Sequence, residues 1–224
     1  MTTTTVFGDA SDGFIYYDDA SYANASTGVG GGGTAIDTTG TLIYAGAIPD
    51  VIEVLMAFLS FDTAGVPDAE VVSAVVLSLW GEQDNYVVDV TLEARDFDWS
   101  SGGLTAADWR TPTQLSALNL LASFPTTSFS ISAYMDFTSQ AAFNNYINKT
   151  GLTYFVLSTD HHRTATAPTS APNGEYGSMW SADNTGTTND PKLVITSAAA
   201  PSGQPTGKRW GGIPFAGGGQ PGRW

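Results

Sequence analysis

Two histidines stand side by side at His161 and His162, followed by Arg163, in a segment rich in Thr, Ala and Pro. Adjacent side chains on a strand point to opposite faces, so the pair is poorly placed to share a metal ion, and no third ligand is signalled nearby. A surface loop pair is the expectation. Asp96 and Asp98 flank Phe97 ahead of Trp99 and fall on one side of an extended segment, as a calcium site or a glycosidase carboxylate pair requires. Asp160, Asp183 and Asp190 join them only if the fold brings them close; a solvated strand-end turn is the simpler reading. The glycine run from Gly28 to Gly33 would allow close approach to a phosphate, but no Gly-Lys-Ser/Thr follows it and no helix is signalled after it, which leaves a surface turn. No Gly-x-Ser-x-Gly elbow occurs, and no serine comes with a base and an orienting acid. The expectation is a protein that is not an enzyme, with no cofactor and no metal.

Binding chemistry is better represented. Trp99, Trp109, Tyr134 and Trp180 offer flat ring faces of the kind that stack on a pyranose, and the same residues equally suit a buried core. At residues 208–224, Lys208, Arg209, Trp210, Ile213, Phe215, Arg223 and Trp224 alternate with glycine and proline. Such a segment forms neither a helix nor a core of its own, and suits docking into grooves on neighbouring subunits through aromatic anchors. A Ser/Ala/Pro/Gly stretch precedes it as a linker.

The formal net charge of −14, with eight Lys and Arg in all, repels a phosphate backbone or an anionic membrane, so neither nucleic acid nor membrane is an expected partner. With no cysteine there is no disulfide framework and no thiolate metal site. The first residues lack the basic and apolar regions of a signal peptide, and no run of 18 apolar residues occurs, so secretion by that route and membrane spanning are not expected.

The elements that must position these residues read as strands. Leu55, Ala57, Leu59 and Phe61 share one face of a strand that ends at Asp62, with Gly65 and Pro67 in the turn. Residues 71–80 are apolar on both faces, which predicts a central strand covered twice. Residues 87–94 alternate, with Val88, Val90, Leu92 and Ala94 inward and Glu93 on a wet outer face. Further strands are expected at 14–17, 41–44, 129–135, 152–158 and 193–196. Short helical signals lie at 106–109 and at 140–149, where Phe143, Tyr146 and Ile147 share a face behind Thr138 and Ser139. The second helix should plug an end of the fold. The pattern predicts an all-β, antiparallel two-sheet jelly-roll sandwich over residues 10–197, an N-terminal extension over 1–9 and a C-terminal arm over 198–224.

The stretch Met56-Ala57-Phe58-Leu59-Ser60-Phe61-Asp62, then Val66-Pro67, then Val72-Ser73-Ala74-Val75-Val76-Leu77-Ser78-Leu79 resembles the signature of the DNRLRE-type, disaggregatase-related jelly-roll domains. The strand from Gly151 to Leu157, and Ser181-Ala182-Asp183 followed by Asp190-Pro191-Lys192-Leu193-Val194-Ile195, are similar to their closing strands. Glu53 stands near the position of the arginine in that pattern. The resemblance implies a fold like that of carbohydrate-binding modules. The arm in turn resembles those of tailed-phage virion proteins. The expected function is a non-enzymatic structural subunit, a capsid decoration or tail-associated protein on the particle exterior, which docks to other virion proteins and to copies of itself. The alternative is a carbohydrate-binding module or an adhesion protein for host polysaccharide; an acidic-pair glycoside hydrolase or lyase is the third reading.

Overall fold

A computed structural model of the chain describes residues 1–29, 33–49, 52–99, 102–169 and 174–200. The arm residues Lys208, Arg209, Trp210, Ile213, Phe215, Arg223 and Trp224 and the centre of the glycine run lie outside the described residues. In chain order the first strands are β1 (Thr2–Phe7), β2 (Gly13–Asp18), β3 (Thr34–Asp37), β4 (Leu42–Ile48), β5 (Glu53–Asp62), β6 (Glu70–Tyr86) and β7 (Thr91–Asp96). They are followed by β8 (Leu120–Pro125), β9 (Tyr134–Asp136), β10 (Thr138–Ser139), β11 (Leu152–Thr159), β12 (Glu175–Trp180) and β13 (Lys192–Ala199). Four short helices interrupt them: α1 (Tyr22–Thr27), α2 (Pro112–Ala117), α3 (Ala141–Tyr146) and α4 (Asp160–Arg163). None of the described helices is long and apolar enough to cross a membrane.

Among the described residues every strand pairing is antiparallel, and the strands curl into a jelly-roll sandwich. One layer holds β1, β13, the first half of β6 and β9; the other holds the second half of β6 with β12, β4, β5, β2, β3, β11, β7, β8 and β10. The 17 residues of β6 therefore belong to both. Residues 70–78 pair with β13, and residues 81–86 pair with β12. At the crossing sits Gly81, where an added Cβ would overlap the Ser130 carbonyl oxygen, so only a residue without a side chain lets the two backbones pass.

Between the layers, Leu77 and Leu79 of β6 and Leu193 and Ile195 of β13 meet Leu59 and Phe61 of β5, Leu92 of β7, and Phe155 and Leu157 of β11. Phe61 stacks on Phe155 at 5.5 Å between ring centroids. The helix expected near 140–149 is α3, and it closes this core by placing Phe143 edge-on against Phe155 at 5.9 Å. Thr138 and Ser139 do not cap it but form β10, and Gln140 takes the cap position.

The strand covered on both faces is β5, not β6. Ala57, Leu59 and Phe61 face the main core, while Val54, Met56 and Phe58 enter a second one with Ile15, Ala25, Trp99, Trp109, Leu115 and Val156. On β6, Val72, Val75, Leu77 and Leu79 are buried in the main core, while on the other face Ser78 alone is buried between exposed Ala74 and half-buried Val76 and Trp80. Apolar residues on both faces of a strand do not by themselves say which strand the cover reaches. The expected strand at 129–135 is reduced to β9, preceded by a single 3-10 turn at Thr126–Ser128. Residues 1–9 are no mere extension. Thr2 to Phe7 pair residue for residue with Ser197 to Lys192, so β1 is an edge strand of the sandwich, and its threonines are β-branched residues suited to that place.

The outer face of β7 is also not wet. Glu93 and Arg95 are buried there beneath α2 and α4. Glu93 Oε2 accepts from Arg95 Nε at 3.0 Å and Nη2 at 2.9 Å, and from Arg163 Nε at 2.8 Å, while Arg163 Nη2 donates to Oε1 at 3.1 Å. Arg95 Nη1 reaches the Leu118 carbonyl at 2.8 Å and, at 3.3 Å, the Leu115 carbonyl, which also accepts from the Leu118 nitrogen, both at the negative C-terminal end of α2. One carboxylate thus holds two guanidinium groups and, through them, two helices. Glu93→Ala strands Arg95 without its counter-charge and is expected to cost about 3–5 kcal/mol in chemical denaturation, while Thr2→Ala at the exposed edge changes stability by under about 0.5 kcal/mol.

Candidate functional site

A groove of about 330 Å³ opens where β2, β4, β5, β6 and β12 run side by side, lined by Phe14, Tyr16, Tyr44, Ile48, Glu53, Leu55, Gln83 and Tyr176. Strand register builds it. Tyr16 stands opposite Leu55, Leu55 opposite Gly46, and Gly46 opposite Tyr176, so one row across four strands carries a tyrosine at each end and a low floor between them. Gly46 makes that floor: its φ is +133°, and a Cβ there would overlap the Glu175 carbonyl oxygen. A neighbouring row sets Tyr44 opposite Ser178 and Ser178 opposite Gln83. The rings brace one another, with Phe14 edge-on to Tyr44 at 4.9 Å and stacked beside Tyr16 at 6.4 Å.

The polar groups in this groove are tyrosine hydroxyls, one carboxylate and one amide. Burial raises the Tyr44 hydroxyl above its ordinary pKa, helped by Tyr176 and Asp37, so it stays a neutral hydrogen-bond donor. Burial also raises the Glu53 carboxyl, with Asp18 adding to it from the opposite position on β2. Half-buried aromatic faces with a few donors and acceptors between them suit a flat, hydroxylated ligand.

The aromatic residues singled out in the sequence lie elsewhere. Trp99 is 2% exposed and Trp109 5% exposed, both in the second core, so neither offers a ring face to a ligand. Trp99 packs edge-on to Phe58 at 6.2 Å and to Tyr154 at 5.0 Å. Trp109 leans on Tyr17 at 4.8 Å and donates from Nε1 to the Ser26 carbonyl at 3.2 Å. Tyr134 is half-buried on β9; its hydroxyl lies 2.8 Å from the Thr188 carbonyl and 3.0 Å from that of Asp190, and Lys192 Nζ sits 3.5 Å from its ring centroid. Its position is structural, tying β9 to the β12–β13 connection. Trp180 is half-buried at the end of β12. The rings that do gather, Phe14, Tyr16, Tyr44 and Tyr176, come from separate parts of the chain, and only the pairing of strands brings them together.

The carboxylate pair is split between two smaller hollows. Asp96 accepts from the Asn119 amide nitrogen and from Asn119 Nδ2, each at 2.6 Å, and so latches β7 to the start of β8. With Asn119, Leu121, Ala142, Asn145 and Tyr146 it lines a hollow of about 290 Å³. Asp98 lines another of about 150 Å³ with Tyr146, Asn148 and Tyr154 among others. Tyr146 lies between them, its hydroxyl pKa raised first by burial and then by both aspartates.

The histidines sit on the helical turn α4 rather than in a surface loop. His161 Nδ1 lies 2.9 Å from Glu175 Oε2. His162 is 2% exposed and packs against Trp109 at 5.3 Å. Its Nε2 donates to the Ser26 carbonyl at 3.1 Å, the acceptor it shares with Trp109, so α1, α4 and the Trp109 loop converge on one oxygen. With Nε2 as donor, Nδ1 carries the lone pair and the ring is neutral.

The class the fold defines is an antiparallel β-sandwich with an open aromatic groove on one sheet. No family model matches the chain, and no curated protein matches it.

Burial lowers the His162 pKa from 6.5 to about 4. Its contribution to stability is therefore whole above pH 6.5 and is lost as pH falls toward 4, because the unfolded chain takes up the proton first. His162→Gln removes that dependence. In paired denaturation curves its deficit relative to the parent should shrink by about 3 kcal/mol between pH 7 and pH 4, a difference in which the carboxylates common to both proteins cancel.

Proposed function

We propose that this sandwich is a non-catalytic glycan-binding module that seats a sugar on the groove between Tyr16 and Tyr176. The observation that carries the reading is the row Tyr16, Leu55, Gly46 and Tyr176, with Tyr44, Glu53 and Gln83 beside it. Aromatic faces supply the apolar contact for pyranose C–H groups, while the amide, the carboxyl and the tyrosine hydroxyls match its hydroxyls. Binding rather than cleavage fits the lining, because glycoside hydrolysis takes two carboxyl groups across the scissile bond and, among the described residues, Glu53 is the one carboxyl group that lines the groove. The resemblance of residues 56–79 to DNRLRE-type jelly-roll domains, and through them to carbohydrate-binding modules, points the same way.

Glycan-array screening followed by calorimetry tests it. Tyr16→Ala and Tyr176→Ala should each weaken binding about tenfold at unchanged melting temperature. Trp109→Ala should instead lower stability by about 3–5 kcal/mol, as loss of a buried ring does. A parent protein that binds no glycan, or binding that survives the double tyrosine variant, overturns the reading.

The second reading, a structural subunit on the exterior of a tailed-phage particle, is favoured by the composition of residues 208–224. Trp210, Ile213, Phe215 and Trp224 are set among glycines and prolines, with Lys208, Arg209 and Arg223 as positive charge on an acidic chain. Such an arm gains its shape against other subunits. Removing residues 203–224 should leave a folded sandwich that no longer joins the particle, and a truncated chain that assembles normally would sink this reading. The two roles are compatible, since a particle subunit can carry a sugar-binding face.

A further inference from the structure

The groove between Tyr16 and Tyr176 is acidic as well as aromatic, and the combination narrows what it can hold. On β2, Phe14 and Tyr16 line it, and Asp18 follows two residues on, on the same side of the strand. Pairing sets Asp18 directly opposite Glu53 of β5, and Phe14 opposite Asp37 of β3. Like charges that face each other across neighbouring strands repel and weaken the sheet unless a positive charge joins them.

No lysine or arginine among the described residues does so, because each is placed elsewhere. Arg95 and Arg163 are held by Glu93. Lys149 Nζ donates to the Asp68 and Glu70 carbonyls, both at 2.7 Å. Arg110 lies 3.8 Å from the Phe97 ring centroid and Lys192 3.5 Å from that of Tyr134. Among the described residues no ion pair reaches Glu53 or Asp18, and Asp18 Oδ1 is buried with no hydrogen-bond partner. Burial raises the Glu53 carboxyl and Asp18 raises it further, so a positive charge in the groove would offset both causes. The aromatic walls favour the same occupant, since the face of a tyrosine ring attracts a cation. The chain itself makes that contact twice, at Phe97 and at Tyr134.

We infer that the groove takes a sugar bearing a free amino group in preference to a neutral or an acidic sugar, with the ring between Tyr16 and Tyr176 and the ammonium beside Glu53. The inference rests on the glycan reading of this groove and names the class of sugar. Strand register makes the pose feasible. Glu53 stands two residues before Leu55, about 7 Å along β5 from the row that carries the tyrosines, within reach of a substituent on a seated pyranose. A hydroxyl or an N-acetyl group at that position brings no charge to the carboxylates. A uronic acid adds a third negative charge to Asp18 and Glu53.

Calorimetry on the full chain compares a glucosamine trisaccharide with its N-acetylated form, a glucose trisaccharide and a galacturonic acid trisaccharide. At about pH 6, where the amine is protonated and an ordinary carboxyl ionised, the amino sugar should bind about tenfold more tightly than the two neutral ones, and the uronic acid most weakly. Glu53→Gln should bring the ratio of amino to neutral affinity to within about twofold of unity, and Asp18→Asn should lower it partway. In the parent the ratio should also fall as pH drops and Glu53 takes up a proton, and it should stay flat over that range in Glu53→Gln. Combining Tyr16→Ala with Tyr176→Ala keeps the net charge and should abolish binding of the amino trisaccharide. Binding that persists in this variant would assign the preference to the acidic surface at large and overturn the inference. Equal affinity for amino and neutral sugars, or a ratio that Glu53→Gln leaves untouched, also overturns it and leaves the glycan groove standing. A parent that binds neither these four nor any other glycan overturns both.

Discussion

The whole architecture answers to β5, a strand whose residues 54–59 are apolar on both faces and must be covered on two sides. Ala57, Leu59 and Phe61 call for an opposing sheet, and Val54, Met56 and Phe58 call for something outside the sandwich altogether. The second demand explains features that otherwise look incidental. α1, α2 and the Trp109 loop are laid over the outer face of β2, β5 and β11, and Trp99 and Trp109 fill the space that two short helices cannot. On the face that carries Ala57, Leu59 and Phe61, the first residues Glu53 and Leu55 lie beyond the main core and line the groove. Site and core are consecutive stretches of one strand.

The same need for cover accounts for the polar interior. Placing α2 and α4 over β7 shuts water away from Glu93, and the chain meets the desolvation with two arginines and the carbonyls at the end of α2. The Ser26 carbonyl likewise serves Trp109 and His162 together. Buried polar groups of this kind stabilise only when each is satisfied, so they fix how the helices sit more than they add to overall stability.

These relations mark the boundary of what the chain discloses unaided. Strict alternation revealed the main-core face of β5 and the inward residues Leu92 and Ala94 of β7, and the apolar face of α3 was readable from Phe143 and Ile147. Alternation could not reveal whether an outer face is covered, because that depends on distant segments, and so Glu93 reads as solvated and β6 as doubly buried. β1 escaped because a run of threonines has no apolar face to alternate. α2 was not expected, although the Thr111, Pro112 and Gln114 capping box was a usable signal for it. Three tryptophans and a tyrosine suggest a sugar platform, yet two of the tryptophans, Trp99 and Trp109, are the largest fillers of the second core. The groove was illegible for the opposite reason: Tyr16, Tyr44 and Tyr176 are unremarkable locally and acquire meaning only through register across β2, β5, β4 and β12.

Because β6 passes without a break from one layer into the other at Gly81, the layers are not leaves that can swing apart like a book. Pulling on either sheet loads the same backbone, so thermal or mechanical opening must involve both at once, and slow hydrogen exchange should extend through the long strand on either side of the crossing. Adaptation to a bound molecule is left to the connections at the ends, with the strand framework acting as a rigid tray.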